Sequence, residues 1–465
     1  MSLVILHLGL GFFHRAHQAW YLHRLHELGE SSWTLAAGNT RPDTLELIDA
    51  LARQGGAYTL ETVSPSGERT YTRITSIQTV VRYDPTLSEL IDIGARPTTR
   101  IISFTVTEAG YYLDAKSKLD LSFPELAADL DAAHAGGAGG TIYAALTAIF
   151  RERMRRQTGK VTLLNCDNLR HNGDRFVGGL LQFLDLLGDF ALREWVQANI
   201  SSPNAMVDRI TPRPPQDMRE RVYRATGWAD AVPVMSESFI QWVIEDDFCN
   251  GRPPWERVGV EMVDSVAPYE EAKIRILNAS HSAIAWAGTL VGHRFIHEGT
   301  NDVAVRRIAY DYVTNDVIPC LSAEKPSPID LHRYRDVVLE RFSNPAILDS
   351  NQRVAMDGYS KIPGFVAPTI RERLAANASI EGVAMLPALF LAFLQRWHRG
   401  EIPYTYQDQA MDTETAHAIC ESADPVAAFC RDAVLWGPLA GDHRLEREIR
   451  AARMRVDAFV REHAK

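Results

Sequence analysis

Hydrophobic and polar positions follow two periods in the first half of the chain. Short apolar runs predict buried strands, and the segments between them have the spacing of amphipathic helices. The predicted strands are Leu3–Leu8, Trp33–Ala37, Arg100–Val106 and Lys160–Leu164, and the predicted helices are Arg15–Leu28, Pro42–Arg53 and Thr141–Arg155. Strands and helices that alternate at these lengths predict a parallel α/β sheet.

One stretch departs from this alternation. Ala57–Val63 and Arg69–Val81 both have strand character, and they flank Ser64-Pro-Ser-Gly67. Proline, serine and glycine in this order are typical of a turn between paired strands. We therefore expect a hairpin inserted into the α/β domain.

The periodicity becomes mainly helical after about residue 262. Predicted helices are Tyr269–Leu290, Asp302–Val317, Asp330–Arg341, Met385–Arg399 and Leu445–His463. The pattern thus predicts an N-terminal α/β domain over residues 1–262 and a mainly α-helical C-terminal domain over residues 263–465.

Composition narrows the class of protein. The 465 residues include 49 Lys and Arg against 59 Asp and Glu, a formal charge of −10, which argues against a general binder of nucleic acid or anionic membrane. The five cysteines form no C-x-x-C pair, which excludes a simple disulfide framework and a cysteine-based zinc finger. The start of the chain has no basic segment, and no apolar run reaches about 18 residues. We expect a cytoplasmic protein without a signal peptide or membrane span.

Glycines follow the first predicted strand, in the run Gly9-Leu-Gly11-Phe-Phe-His14. Gly9 permits a tight turn, and Gly11 lets the backbone approach a pyrophosphate at the start of the next helix. The third glycine of G-x-G-x-x-G is replaced by His14. A strand-to-helix turn also uses glycines for purely structural reasons, but the position after the first strand favours a dinucleotide-binding Rossmann-type domain.

The end of the second strand lacks the acidic residue that usually binds the ribose. Asn39 is available for a ribose hydroxyl, and Arg41 is suited to stacking on adenine or binding a 2′-phosphate. A solvated loop cation explains Arg41 equally well. This loop therefore leaves NAD and NADP both open.

Polar residues share one side of the first C-terminal helix. At about 100° per residue from Lys273, Glu270 lies near 60°, His281 near 80° and Asn278 near 140°. A solvated Glu/Lys face is the simpler interpretation. The aliphatic residues between them favour a catalytic interpretation instead. A lysine held against apolar surface loses its preference for the charged form and can act as a general base.

Two further polar clusters follow short apolar runs, Leu164-Asn-Cys-Asp-Asn168 and Met206-Val-Asp208-Arg-Ile-Thr-Pro212. The first lies at the carboxyl end of a predicted parallel strand, where α/β domains bind ligands. Asp and Asn also favour turns, so each cluster alone has a structural explanation.

Together these motifs resemble the polyol-specific long-chain dehydrogenase/reductase family, also called the mannitol dehydrogenase family. The resemblance covers essentially the whole chain, and its most specific element is Lys273-x4-Asn278-x2-His281. Four stretches resemble the D-arabinitol-oxidising members of the family most: His7 to Leu22, Leu164–Asn168, Phe239–Trp242 and Lys361–Pro363.

The resemblance implies a Rossmann-type domain, a helical domain, and a cleft between them for cofactor and open-chain polyol. It implies that Lys273 is the general base, with Glu270 passing its proton toward solvent. Asn168 and Asn278 would hold the reacting oxygen, and His281 would orient a hydroxyl. The other implied contacts are with the polyol, at Asp208, Arg353 and Lys361, and with the cofactor, at Gly9, Gly11, Phe13, His14, Arg15, Asn39, Thr105 and Glu108.

The implied reaction is NAD-dependent oxidation of D-arabinitol to D-xylulose without a metal. The alternatives are oxidation of D-mannitol to D-fructose and, in another class, a non-catalytic sugar- or nucleotide-binding protein. A zinc-dependent polyol dehydrogenase is disfavoured because no Cys/His ligand set with suitable spacing occurs. We expect a small polyol or ketose as partner, no nucleic acid or membrane, and a monomer or weak oligomer.

Overall fold

The computed structural model describes residues 2–114, 117–323 and 326–464; within that part, the side chains of Glu108 and Ala109 are also left undescribed. The chain divides into two compact units. Unit 1 comprises Met1–Ser64 and Glu68–Ala267, and unit 2 comprises Pro65–Gly67 and Pro268–Lys465.

In the part of the chain that the structure describes, the strands all lie in unit 1. In chain order they are β1 Leu3–Leu8, β2 Trp33–Gly38, β3 Tyr58–Val63, β4 Arg69–Ile74, β5 Ile77–Val80, β6 Thr99–Phe104, β7 Val161–Asn165, β8 Ile200–Ser201, β9 Ala205–Asp208, β10 Val234–Glu237, β11 Gln241–Glu245 and β12 Glu261–Val263. The main sheet has the order β5-β2-β1-β6-β7-β8, and its neighbouring strands are parallel. Numbered within this sheet, the order is 3-2-1-4-5-6, that of a dinucleotide-binding Rossmann domain. The predicted Rossmann-type fold is confirmed.

Helices pack on this sheet. In unit 1 they are α1 Phe12–Ala16, α2 Gln18–Glu27, α3 Leu45–Arg53, α4 Ser88–Gly94, α5 Pro124–His134, α6 Ile142–Arg156, α7 Asn172–Leu187, α8 Phe190–Asn199 and α9 Met218–Thr226, with 3₁₀ turns at Pro42–Thr44, Glu108–Tyr111 and Trp255–Val258. Successive residues of the central strands belong to different apolar clusters: Ile5 and Ile101 to one, Leu6 and Ile102 to the other. Both faces of the sheet are therefore covered, which explains why its strands are continuously apolar.

The first helix differs from its prediction. It begins at Phe12, with Gly11 as N-cap, and is interrupted at His17, whose φ and ψ are −121° and −87°. A ring nitrogen of His17 contacts the carbonyl of Gln241 at 2.9 Å. The prediction of a single helix over Arg15–Leu28 was therefore wrong, since the structure has two helices there. The interruption between them places the His17 ring against β11.

The predicted hairpin is present but shorter. β3 and β4 pair antiparallel from Tyr58↔Ile74 to Val63↔Arg69, and β10 joins β3 in parallel. The chain leaves the hairpin at Ser76, whose hydroxyl donates to the Ala19 carbonyl at 2.6 Å. The following residues form β5, an edge strand of the main sheet, so the prediction of one strand over Arg69–Val81 was wrong. β9, β11 and β12 form a third sheet that the sequence did not indicate.

Unit 2 is helical in the part that the structure describes. Its α-helices are α10 Ala267–Ala272, α11 Ala279–Leu290, α12 Ile296–Asn301, α13 Val303–Tyr312, α14 Ile318–Leu321, α15 Leu331–Phe342, α16 Asn351–Ala355, α17 Gly358–Lys361, α18 Ala367–Ala375, α19 Met385–His398, α20 Thr413–Glu421, α21 Pro425–Arg431, α22 Ala433–Trp436 and α23 His443–His463, with a 3₁₀ turn at Gly437–Leu439. α11 lies at the centre, packed against α12, α13, α16 and α19.

Unit 2 also contains π-helical turns at Lys273–Asn278, Val313–Val317 and Ile362–Val366. Pro319 and Pro368 follow the second and the third of these turns by two residues. Proline has no N–H, and its ring clashes with the carbonyl four residues back, so a wider turn ahead of it relieves the clash. No proline follows the first turn before Leu290.

Among the described residues, no helix combines the length and the apolar composition that crossing a membrane requires.

Candidate active site

The turn between β1 and α1 can only be made with glycine at its first position. Gly9 has a φ of +102°, and a Cβ there would lie 2.2 Å from the Thr105 carbonyl oxygen. The Thr105 hydroxyl donates to the Gly9 carbonyl at 2.8 Å, which ties β1 to the end of β6. β1 is followed in the sheet by β2 on one side, and β6 by β7 on the other. Ligands bind at such a switch point in open α/β sheets.

Gly11 has a different role. Its φ of −109° and ψ of −164° are open to any residue, and a Cβ there would meet only the Gly9 carbonyl oxygen, at 3.8 Å. Gly11 lines a cavity of about 410 Å³ in unit 1. A side chain at this position would extend into that cavity, which is the space a pyrophosphate needs. The residues therefore fit a dinucleotide.

The predicted ribose residue, Asn39, is engaged in holding the turn. Its side-chain oxygen accepts from the Leu10 N–H at 2.5 Å, and its amide group donates to the Thr44 hydroxyl. Arg41 also lines the cavity and donates to the Gly140 carbonyl at 3.2 Å and to the Tyr112 hydroxyl. Both side chains thus shape the cavity from the end of β2.

Other predicted cofactor residues turn their side chains inward. Arg15 is fully buried and donates to the carbonyls of Gly11, at 3.2 Å, and Val232, at 2.5 Å. The buried ring of His14 stacks on His7 with the centroids 3.4 Å apart. A cofactor contact at Arg15 or His14 would therefore use the backbone.

Phe13 does not line the cavity, and its ring stacks on His17. The side chain of Glu108 lies outside the described residues. The predicted cofactor contacts at both positions stay predictions.

A buried carboxylate just after β7 holds two residues that line the same cavity, Val106 and Thr107. Asp167 accepts hydrogen bonds from the N–H groups of Val106, at 3.0 Å, and Thr107, at 2.9 Å, and from the Tyr111 hydroxyl at 3.2 Å. Burial raises the pKa of Asp167 to about 6, although these hydrogen bonds oppose the shift. Thr107 has a φ of +64°, a strained value for threonine, which the bond to Asp167 helps to hold.

The predicted substrate residues of unit 1 stand at the ends of two strands. Asn168 follows Asp167 directly and is exposed. Asp208 is the last residue of β9 and is buried. Asn168 thus lies beyond the carboxyl end of a strand of the parallel sheet, where α/β domains bind ligands. Asp208 belongs instead to the separate sheet of β9, β11 and β12.

In unit 2, Lys273 and Glu270 are buried, with 6% and 4% of their surface exposed. The wheel angles given above assumed an α-helix, and that assumption was wrong. Lys273–Asn278 is a π-helical turn with i→i+5 hydrogen bonds. A π turn holds more residues than an α turn, so Asn278 lies nearer the side of Lys273 than the angle of about 140° indicated.

His281 belongs to a charged cluster in the same unit. Its Nε2 lies 3.1 Å from Asp349 Oδ2, and its ring stacks on Phe342. Arg353 makes a bidentate ion pair with Asp349 at 2.7 and 2.6 Å. Burial lowers the pKa of His281, against the opposing effect of Asp349. A neutral imidazole beside a carboxylate is suited to orienting a hydroxyl rather than carrying charge.

Lys361 lies close enough to this cluster to feel its charges. Its Nζ donates to the Val354 carbonyl at 2.8 Å. The pKa of Lys361 is lowered to about 8, mainly by burial, with Asp357 opposing the shift and Arg353 contributing to it. Burial also opposes ionisation of Asp349, but His281 and Arg353 together hold the pKa of that carboxyl well below its ordinary value.

Family models match both units. A mannitol dehydrogenase Rossmann-domain model matches residues 3–257, and a mannitol dehydrogenase C-terminal-domain model matches residues 265–456. The chain belongs to the mannitol dehydrogenase family.

Individual members of the family agree over nearly the whole length. A D-arabinitol 4-dehydrogenase of Ralstonia nicotianae is 59% identical over 98% of this chain and 97% of its own. One from Klebsiella pneumoniae is 55% identical over 94% of each. The structure of Pseudomonas fluorescens mannitol 2-dehydrogenase, solved with NAD and D-mannitol, superposes with a TM-score of 0.83 at 34% identity, covering 99% of this chain and 94% of that one. This member of the family is an oxidoreductase of the polyol dehydrogenase class.

Sequence reasoning missed carboxylates that the structure places at the candidate sites of this polyol dehydrogenase. Asp43 lines the cavity a few residues after β2, beyond the strand end where an acidic residue was sought. Asp167 lay inside a cluster of which only Asn168 was selected. Asp349 precedes a helix N-cap, Ser350, and nothing in its local sequence signals its contact with His281.

Among the described residues, no group of three or more His, Cys, Asp or Glu side chains is arranged to hold a metal ion.

Proposed function

We propose that this enzyme oxidises D-arabinitol to D-xylulose with NAD. The observation that carries the proposal is the 59% and 55% identity to two D-arabinitol 4-dehydrogenases over nearly the full chain, against 34% to a mannitol 2-dehydrogenase. Substrate preference within a family follows the residues that contact the substrate, and these are retained more often as identity rises.

The cavity of unit 1 supports NAD as the cofactor. Gly9 and Gly11 leave room for a pyrophosphate, and Asp43 supplies a carboxylate near the end of β2 that favours a ribose with a free 2′-hydroxyl over a 2′-phosphate. Gly9 and Gly11 would hold NAD, which would supply the hydride acceptor for oxidation of the carbinol carbon.

The chain's own residues supply the rest of the chemistry. Lys273, in its neutral form, accepts the proton of the reacting hydroxyl, and Glu270 passes that proton on toward solvent. The side-chain amides of Asn168 and Asn278 hold the developing oxyanion. These roles come from the family resemblance, and Lys273 and Glu270 are both buried, so they do not form a solvated surface pair.

His281 orients a substrate hydroxyl, with Asp349 fixing its ring. Asp208, Arg353 and Lys361 contact the polyol chain. Arg353 is tied to Asp349 by two hydrogen bonds, so it presents its remaining N–H groups in a fixed direction.

The test is a panel of D-arabinitol, D-mannitol, xylitol and D-sorbitol, each with NAD and with NADP, read as absorbance of the reduced cofactor. We expect the highest kcat/KM for D-arabinitol with NAD, and D-xylulose as the product. A higher value for D-mannitol would make the enzyme a mannitol 2-dehydrogenase. Absence of turnover with every pair would favour a binding protein.

The proposal includes a reaction without a metal. Exhaustive dialysis against a chelator should leave kcat/KM unchanged, because the proton acceptor is an amine. Loss of activity that zinc restores would contradict the role given to Lys273.

A further inference from the structure

The π-helical turn that carries Lys273 has no cause in its own sequence. The turns at Val313–Val317 and Ile362–Val366 each precede a proline, which removes the α-helical hydrogen bond locally. After Asn278 the chain reads Ala-Ser-His-Ser-Ala, and every one of these residues can continue an α-helix. Contacts from elsewhere in unit 2 must therefore stabilise the wider turn.

The π turn departs from an α-helix at the backbone carbonyl of Arg275. The N–H of Ala279 bonds to the carbonyl of Ile274, five residues back, instead of to the carbonyl of Arg275, its α-helical acceptor. The Tyr312 hydroxyl donates to the Arg275 carbonyl at 2.8 Å. A buried carbonyl passed over by a π turn needs a donor, and this hydroxyl supplies one.

Tyr312 is suited to this contact. Its side chain is fully buried, at the end of α13. Burial raises the pKa of Tyr312 well above its ordinary value, so the hydroxyl keeps its proton at any pH where the enzyme works. Water cannot easily replace a donor at such a position, because the site is closed to solvent.

The side chain of Arg275 is also held in place. Arg275 pairs with both oxygens of Glu372 at 2.7 Å and with Glu271 at 2.6 Å. Bidentate pairs of this kind fix a guanidinium in direction as well as in distance. Tyr312 and Glu372 thus stabilise the turn from two sides, one at the main chain and one at the side chain.

The consequence for catalysis follows from helix geometry. If the turn reverted to an α-helix, every residue after it would rotate by about 100° relative to Lys273. Asn278 and His281 both come after Lys273 in the chain, so both side chains would rotate away from it. We propose that Tyr312 is a positioning residue, whose hydroxyl keeps the π turn and so aligns Asn278 and His281 with Lys273; this rests on the proposed roles of those three residues.

Tyr312→Phe removes the donor and keeps the ring. We expect kcat for polyol oxidation to fall by about tenfold to a hundredfold, since small misplacements of catalytic groups have effects of this size. NAD affinity, measured by titration, should be unchanged. A crystal structure of the variant should show Ala279 bonded to the carbonyl of Arg275.

The matched control is Tyr404→Phe. Its hydroxyl contacts Thr289, near the far end of α11, at 2.8 Å. This variant also loses a tyrosine hydroxyl contact to the same helix, but far from the π turn, so its kcat should stay close to wild type. Equal losses in both variants, or wild-type kcat in a folded Tyr312→Phe enzyme, would overturn the inference.

Glu372→Gln keeps the inference testable if Tyr312→Phe does not fold, since Glu372 is half exposed. It should lower kcat in the same direction by a smaller factor, again at constant NAD affinity, and an unchanged kcat would overturn the inference. Failure of the proposed function looks different, because it would appear as activity in Lys273→Met. An inactive Lys273→Met enzyme beside a fully active Tyr312→Phe enzyme would contradict only the role of Tyr312.

Discussion

The glycine turn after β1 and the π-helical turn at Lys273–Asn278 differ in what fixes their backbone. At the glycine turn, the φ of +102° at Gly9 and the closeness of the Thr105 carbonyl leave glycine as the residue that fits. At the π turn, ordinary helix-forming residues adopt a rarer conformation, which the Tyr312 hydroxyl and the Glu372 carboxylate support from other helices.

The two turns should therefore be sensitive to different kinds of substitution. A change of residue within the glycine turn should damage that turn directly, because the constraint is steric and local. The π turn should be sensitive to changes far away in sequence, because its constraint is a tertiary hydrogen bond. Cofactor binding, which we propose for unit 1, and proton transfer, which we propose for unit 2, should therefore respond to different substitutions.

The largest expected effect is at Lys273. Lys273→Met keeps the aliphatic stem and the helix propensity and removes the amine that we propose as the proton acceptor. We expect polyol oxidation to fall by at least about a hundredfold. Lys160→Met, at an exposed position, is the control and should behave as wild type. Near-normal turnover in a folded Lys273→Met enzyme would leave the buried lysine with a structural role only.

Gly11→Val should weaken NAD binding by at least about tenfold, a loss of about 1.4 kcal/mol. The branched side chain would enter the cavity of unit 1, whereas the backbone at Gly11 accepts any residue. Gly178→Val is the matched control, because a Cβ at that helical glycine also meets open space but lies outside the cavity. Unchanged NAD affinity in calorimetric titration would show that the pyrophosphate does not bind at this turn.

Asp167→Asn tests the loop after β6. The amide oxygen can still accept from the N–H groups of Val106 and Thr107, which share Oδ1. The amide NH2 replaces Oδ2, however, so the Tyr111 hydroxyl loses its acceptor. We expect the free energy of unfolding to fall by about 1–3 kcal/mol and NAD affinity to fall by less than in Gly11→Val. Asp131→Asn, at an exposed position, should change neither. Wild-type values for both quantities in Asp167→Asn would remove this carboxylate from the cofactor site.

The last prediction concerns Lys361 and appears only as a pH dependence. Burial lowers the pKa of Lys361 from 10.5 to about 8. Between these pH values the unfolded chain binds more protons at this residue than the folded protein, so Lys361 makes wild type more stable as pH rises through the window. Lys361→Met lacks this gain, and its stability relative to wild type should be highest below pH 8 and fall by on the order of 1–3 kcal/mol by pH 10.5.

Chemical denaturation at several pH values measures this difference. Lys118→Met, at an exposed position, serves as the control and should show a constant offset from wild type. A constant offset for Lys361→Met as well would mean that the amine is not held away from water.

The sequence was sufficient for features that depend on local patterns. The continuous apolar runs of β1, β2, β6 and β7 predicted the parallel sheet, because strands covered on both faces need apolar residues throughout. Gly9 predicted the turn because glycine readily adopts the backbone conformations that a tight turn requires. The predicted fold class depends on these local patterns, and it is confirmed.

Features that depend on distant contacts could not be predicted. The π turn, the bonds from Asp167 to the loop after β6 and the pair of His281 with Asp349 each join residues far apart in sequence. A helical wheel assumes a constant turn, so it placed Asn278 too far from Lys273. The interruption at His17 escaped notice because the contact that explains it lies on β11.

The most direct test of this account is the affinity of the Lys273→Met enzyme for NADH, measured by calorimetric titration beside its turnover of D-arabinitol. In the proposed mechanism the glycine turn binds the cofactor and the π turn carries the proton acceptor. We therefore expect a wild-type Kd together with turnover reduced by at least about a hundredfold. Wild-type turnover, or a loss of NADH affinity as large as the loss of turnover, would contradict that division.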